Sequence, residues 1–135
     1  MKCINLFGGP GSGKSTIAAG IFSYLKFNGI NCELITEFAK DMTWQESFKV
    51  LGNQIYVFGK QHHRQYRLKD KVDLVITDSP LLISLAYCQF ENTETERHFT
   101  SLVKEVFGET ENLNVFLTRV KPYVQIGRSQ TEEEA

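Results

Sequence analysis

Apolar residues along this 135-residue chain alternate between short runs of strand type and longer stretches with helical spacing. Ile4–Phe7 is a short run that ends directly in glycines, and Cys32–Ile35 has the same character. Leu74–Thr77 (LVIT) is apolar and rich in β-branched side chains, the pattern of a strand covered on both faces. Val115–Leu117 predicts the last strand. Between these runs the period changes. Ile17, Ile21, Tyr24 and Leu25 recur at helical spacing from Lys14 onward, and Asn28-Gly29 supplies a stop. Thr43-Trp44-Gln45-Glu46 reads as a capping box opening a long helix, with Phe48, Leu51, Ile55 and Phe58 on one face. Ser79-Pro80 places a cap and an N1 proline before a helix over Leu81–Cys88. A second capping box, Thr93–Glu96, precedes Phe99, Leu102, Val103, Val106 and Phe107, and Gly108 follows. Strands alternating with helices predict an α/β fold, a parallel sheet with helices on both faces.

The length suits one domain with a real core and is too short for two. A formal net charge of −1 gives no global attraction to nucleic acid or an anionic membrane, so any basic surface must be local. Cys3, Cys32 and Cys88 lie apart in apolar runs, which suits free thiols in a reducing cytoplasm rather than a disulfide frame or a zinc site. The opening residues form too short an apolar run for a signal peptide or a membrane span, so a cytoplasmic protein without membrane attachment is expected. Thr131-Glu132-Glu133-Glu134 begins like a capped helix just before Ala135, as in a shortened version of a longer protein.

Residues 8–16 read GGPGSGKST, a stretch that packs no core. Gly8, Gly13, Lys14 and Ser15 fit every fixed position of the P-loop pattern, and the segment has a strand before it and a helix after it. Glycines let backbone N–H groups turn inward around an anion, where side chains would clash. The whole run of Gly8, Gly9, Pro10, Gly11, Ser12, Gly13, Lys14, Ser15 and Thr16 is therefore expected to cradle a nucleoside triphosphate at the helix N-terminus. Lys14 can follow the β- and γ-phosphates as a mobile point charge, and the Ser15 hydroxyl can ligate Mg²⁺. A P-loop NTPase fold binding ATP with Mg²⁺ is the expectation.

Asp78 ends the VIT run, at the carboxyl end of a buried strand where α/β proteins place ligands. A carboxylate there can hold the Mg²⁺ shell, directly or through water. Glu37 follows the second strand and can accept a proton from an acceptor hydroxyl or hydrogen-bond a sugar, and Asp41 one turn later is its rival. After the last strand, Arg119, Lys121 and Arg128 surround a proline and Gly127 in a basic loop. Cations closing over a transferring phosphoryl group can matter by roughly 10³ in rate, so 119–128 is a candidate lid that orders when nucleotide binds. The run 60–71 carries Lys60, His62, His63, Arg64, Arg67, Lys69 and Lys71 against Asp70. With Tyr66 interleaved it could contact nucleic acid, but a charged, solvated helix end is the better reading, since cations there suit the helix dipole. His62-His63 has no carboxylate or cysteine at ligand spacing and is assigned no metal.

Together these residues resemble the P-loop nucleoside and nucleotide kinase group. The likeness rests on the loop at 8–16, the Glu37-Phe38-Ala39-Lys40 element, Asp78-Ser79-Pro80 and the basic loop at 119–128. The nicotinamide riboside kinase domain and small phage-encoded kinases look similar. The resemblance implies Asp78 serving Mg²⁺, Glu37 serving the acceptor hydroxyl, and Arg119, Lys121 and Arg128 forming the lid. Ser79 stands where many of these kinases carry Arg, and the strand and helix that usually follow their lid have no counterpart in 1–135. The expected activity is transfer of the γ-phosphoryl group from ATP to a nucleoside or nucleotide. A hydroxymethylated base in DNA is the alternative acceptor, as some phage relatives are thought to use one. A P-loop ATPase with water as acceptor is the other class. A GTPase is disfavoured, because no Asn/Thr-Lys-x-Asp element follows a strand.

Overall fold

The structure is a computed structural model that describes residues 1–88 and 91–119. Lys121, Gly127, Arg128 and the Thr131–Glu134 helix start lie outside the described residues. Four parallel strands, β1 (Lys2–Phe7), β2 (Cys32–Ile35), β3 (Leu74–Thr77) and β4 (Glu111–Phe116), form one sheet in the order β2-β3-β1-β4. Register pairs Asn5 with Thr77 and Phe7 with Phe116, so the loops after β1, β3 and β4 emerge together. The expected α/β P-loop architecture is present.

Strand alternation assigns the two sheet faces. Leu6, Cys32 and Ile76 point one way and pack under Ala18 of helix α1 (Lys14–Phe27), with Ile4, Leu34 and Val115 around them. Cys3, Ile35 and Val75 point the other way, toward Leu68 and Val72. Phe58 of α4 (Gln54–Tyr66), Leu81, and Phe99 and Val103 of α5 (Glu94–Phe107) make a further buried cluster. The phase of α1 differs from the expected one. Ile17 and Tyr24 are exposed, while Ala18, Ile21, Phe22 and Leu25 meet the sheet. The P-loop fixes that phase, because Ser15 at the helix start turns inward to Asp78 and carries Ala18 and Phe22 with it.

Three local readings are corrected. Thr43-Trp44-Gln45-Glu46 ends a helix instead of opening one: Thr43 lies inside α2 (Phe38–Trp44), its hydroxyl donates to the Ala39 carbonyl, and Glu46 takes φ 58°. The long helix is divided into a single turn, α3 (Phe48–Leu51), and α4, whose N-terminus Asn53 caps by accepting from the Tyr56 N–H. Phe48 and Ile55 are consequently exposed. Pro80 (φ −58°, ψ 144°) stays outside the following helix, and Ser79 does not cap it; its N–H goes to the Thr77 hydroxyl. Leu81–Tyr87 winds as a 3₁₀ helix, which stacks Leu81, Ser84 and Tyr87 in one column and brings Tyr87 round to the site. The Thr93 cap of α5 is present: its hydroxyl accepts from the Glu96 N–H, while the Glu96 carboxylate accepts from the Asn92 N–H. Strand β4 starts at Glu111, before the apolar run that marked it.

Candidate functional site

Strand β1 delivers the chain into residues 8–13, and the backbone there takes conformations that require glycine. Gly11 and Gly13 lie at φ 79° and 97°, and Gly13 is the N-cap of α1. A Cβ on Gly8 would meet Ser12 Oγ at 2.4 Å and the Leu117 carbonyl at 2.9 Å. No acidic side chain lies in the first turn of α1, so the positive end of the helix faces the loop uncompensated. The Lys14 ammonium arches back to donate to the Gly8 carbonyl at 2.5 Å, spanning the space a phosphate would fill.

Because β3 is hydrogen-bonded directly to β1, the residue after β3 abuts the start of α1. Ser15 Oγ donates to Asp78 Oδ2 at 2.8 Å. Asp78 is only 7% exposed, and its Oδ1 has no hydrogen-bond partner among the described residues. Among the described residues, Ser12 Oγ is the other buried side-chain atom in that condition. Orphaned buried oxygens cost free energy unless a ligand satisfies them, and both lie at this loop. The hydroxyl–carboxylate pair is a hard-oxygen set that suits Mg²⁺, which keeps most of its shell for water and phosphate oxygens. It therefore needs no cluster of three protein ligands, and none occurs among the described residues.

A cavity of about 460 Å³ runs from the P-loop, past Glu37 and Lys40, to the walls made by α2, α4 and the 3₁₀ segment. Its lining includes Gly13, Lys14, Ser15, Thr16, Glu37 and Ser79, followed by Thr43, Gln54, Val57, Gln61, Ser84 and Tyr87. Glu37 is half-buried in this wall, and its carboxyl is raised above the ordinary 4.5. Loss of hydration is the main cause, followed by the nearby Asp78 charge, with Lys14 and Lys40 opposing. The Tyr87 hydroxyl is likewise pushed up, first by burial and then by the charge on Glu37. Both residues line the one cavity.

A raised native carboxyl binds its proton more tightly than the unfolded chain does. Stability from this group thus falls as pH rises from the ordinary value through the native one. Glu37→Gln is expected to unfold at a higher temperature than the parent near neutral pH, with the gap closing as pH falls toward about 4.5. Thermal unfolding across that range checks it; a gap independent of pH would mean that Glu37 sits in water.

The other expected residues separate. Asp41 is exposed and forms an ion pair with Arg64 at 2.5 Å, which also donates to Thr36; it does not line the cavity. Arg119 reaches the loop, its guanidinium donating to the Pro10 carbonyl at 2.9 Å. The basic run on α4 turns elsewhere. Lys60 lies over the Phe38 and Tyr56 rings, His62 stacks on Phe58, and none of Lys60, His62, His63, Arg64 and Arg67 lines the cavity. Gln54, Gln61 and Tyr87 were not anticipated. The glutamines carry a faint signal, being amides seven residues apart beside Val57 and Phe58 on the apolar face. Tyr87 carries none.

The sequence profile of a family described as an AAA domain matches residues 3–135. In three dimensions the chain is similar to a cysteine-to-alanine mutant of the APS kinase of Mycobacterium tuberculosis. The two are 16% identical, with a TM-score of 0.53, over 92% of this chain and 80% of that one. At that identity the likeness speaks for the fold. No curated protein matches the sequence.

Proposed function

The chain belongs to the AAA-domain family of P-loop proteins, and from that premise we propose that it is a kinase. It transfers the γ-phosphoryl group of ATP to a hydroxyl of a nucleoside or nucleotide. The observation that carries this reading is the continuity of the cavity, which joins Lys14 and Ser15 at one end to Glu37 and Tyr87 at the other. Hydrolysis by water needs no such room. A space of this size, with apolar walls and a few convergent polar groups, suits a second organic molecule.

In the proposed reaction the P-loop N–H groups and Lys14 hold the β- and γ-phosphates. Ser15 and Asp78 would hold Mg²⁺, which spreads the phosphate charge when bound. The acceptor oxygen attacks the γ-phosphorus, its proton passes to the Glu37 carboxylate, and the β–γ bridging oxygen leaves with ADP. A carboxyl raised by burial is closer to the working pH and is a better base than an ordinary one. Arg119, already on the loop, supplies positive charge at the phosphate end, with Lys121 and Arg128 proposed to join it. Because the basic face of α4 lies off the cavity, a small acceptor is favoured over DNA.

The test is product analysis with γ-labelled Mg-ATP and a panel of nucleosides, nucleotides and hydroxymethylated DNA. Label on a nucleoside or nucleotide is expected. Label released only as inorganic phosphate would replace the kinase with an ATPase.

A further inference from the structure

Glu37 occupies the N-cap position of α2 with extended backbone (φ −79°, ψ 121°), yet its side chain makes no cap bond. A carboxylate at a helix start ordinarily folds back onto the free N–H groups there. Here another residue takes that duty. Gln61 Oε1 accepts from the Phe38 N–H at 2.8 Å, and Gln61 Nε2 donates to the Thr36 carbonyl at 3.1 Å. One side-chain amide thus closes on the two peptide units that flank Glu37, as an adjacent strand would. Gln61 is 5% exposed and forms part of the cavity wall.

We propose that Gln61 is a positioning residue for Glu37: its amide locks the 36–38 backbone and so frees the Glu37 carboxylate to face the acceptor hydroxyl. This rests on the reading of Glu37 as the group that meets the acceptor. The residue type fits the task narrowly. Glutamate could accept from Phe38 but not donate to Thr36, asparagine is a methylene too short to span both, and methionine does neither. Arg64, one turn along α4, adds a second support by donating to the carbonyl and hydroxyl of Thr36 and pairing with Asp41. The same helix supplies Gln54 and Val57 to the cavity. The acceptor's wall and the Glu37 backbone are therefore held by one element, which keeps their separation constant.

The experiment compares the full chain with Gln61→Met, Gln61→Asn, Glu37→Gln and the Glu37→Gln/Gln61→Met double variant. Turnover is measured with Mg-ATP and the acceptor that the panel identifies. A small displacement of a reacting group costs up to about 10²-fold, so Gln61→Met is expected to lower kcat by between about 10-fold and 10²-fold. Affinity for a fluorescent ATP analogue should stay within about twofold, because the P-loop is untouched. In the Glu37→Gln background the same substitution should cost nothing further, since there is no carboxylate left to aim. Equal losses in both backgrounds overturn the proposal. Gln61→Asn retains a polar amide and guards against a Gln61→Met protein that fails to fold; it is expected to show the same pattern. Amide exchange at Phe38 reads the clamp without any acceptor and should accelerate in both variants. If the parent protein phosphorylates nothing in the panel, the kinase reading has failed on its own account. Unchanged Phe38 exchange then still overturns the clamp.

Discussion

Lys14→Ala is expected to abolish nearly all phosphoryl transfer, lowering the rate by about 10² to 10³-fold or more, as loss of a preorganised charge partner at a transition state does. The side chain is half-buried and donates to the Gly8 carbonyl, across the space intended for phosphate. A neutral methyl cannot follow charge onto the γ-phosphate. The fold should hardly notice, since a net hydrogen bond contributes about 1 kcal/mol, a few degrees of melting temperature for a domain of this size. Assaying turnover alongside thermal unfolding checks both halves. A Lys14→Ala protein with normal turnover would end the kinase reading, and one that is unfolded would show the lysine to be structural.

Asp78→Asn is expected to lose activity on a similar scale while keeping or gaining stability. The carboxylate is buried, accepts a hydrogen bond from Ser15, and leaves Oδ1 without a partner among the described residues. A buried oxygen without a hydrogen bond costs stability until a ligand satisfies it, a usual condition at a functional site. An amide removes the buried formal charge but cannot draw a dication into the pair with Ser15. The measurement is thermal unfolding with and without Mg-ATP. The parent should be stabilised more by Mg-ATP than by ATP alone, and the variant equally by both. A variant that keeps the full magnesium increment would remove Asp78 from the metal shell.

Much of the site was legible in residue order because its chemistry is contiguous. The P-loop is a local object: glycines, a lysine and a hydroxyl within nine residues, between a strand and a helix. The place of Asp78 beside the loop was legible because the carboxyl end of a buried strand is where such folds gather their loops. The rivalry of Glu37 and Asp41 was not resolvable that way. Both follow β2, and only the folded chain shows that Glu37 lines the cavity while Asp41 is exposed and paired with Arg64 from α4. Gln61 and Tyr87 were invisible for the same reason: Gln61 bonds to a segment 23 residues away, and Tyr87 reaches the cavity through a helix wound more tightly than its sequence suggests.

Local order carried the strands Cys32–Ile35 and Leu74–Thr77, the Thr93 cap, the stop at Asn28-Gly29 and the phosphate loop. These depend on the backbone preferences of neighbouring residues, which no distant contact has to supply. Tertiary contacts set the rest. The phase of α1 came from Ser15 meeting Asp78, and the start of α2 at Phe38 is met by Gln61 from α4, which accepts from the Phe38 N–H. The backbone on either side of Glu37 is held by an amide on another helix. Propensities are worth tenths of a kcal/mol per residue, whereas a buried side chain or an unsatisfied buried polar group is worth about 1–3 kcal/mol, so where they conflict the packing wins.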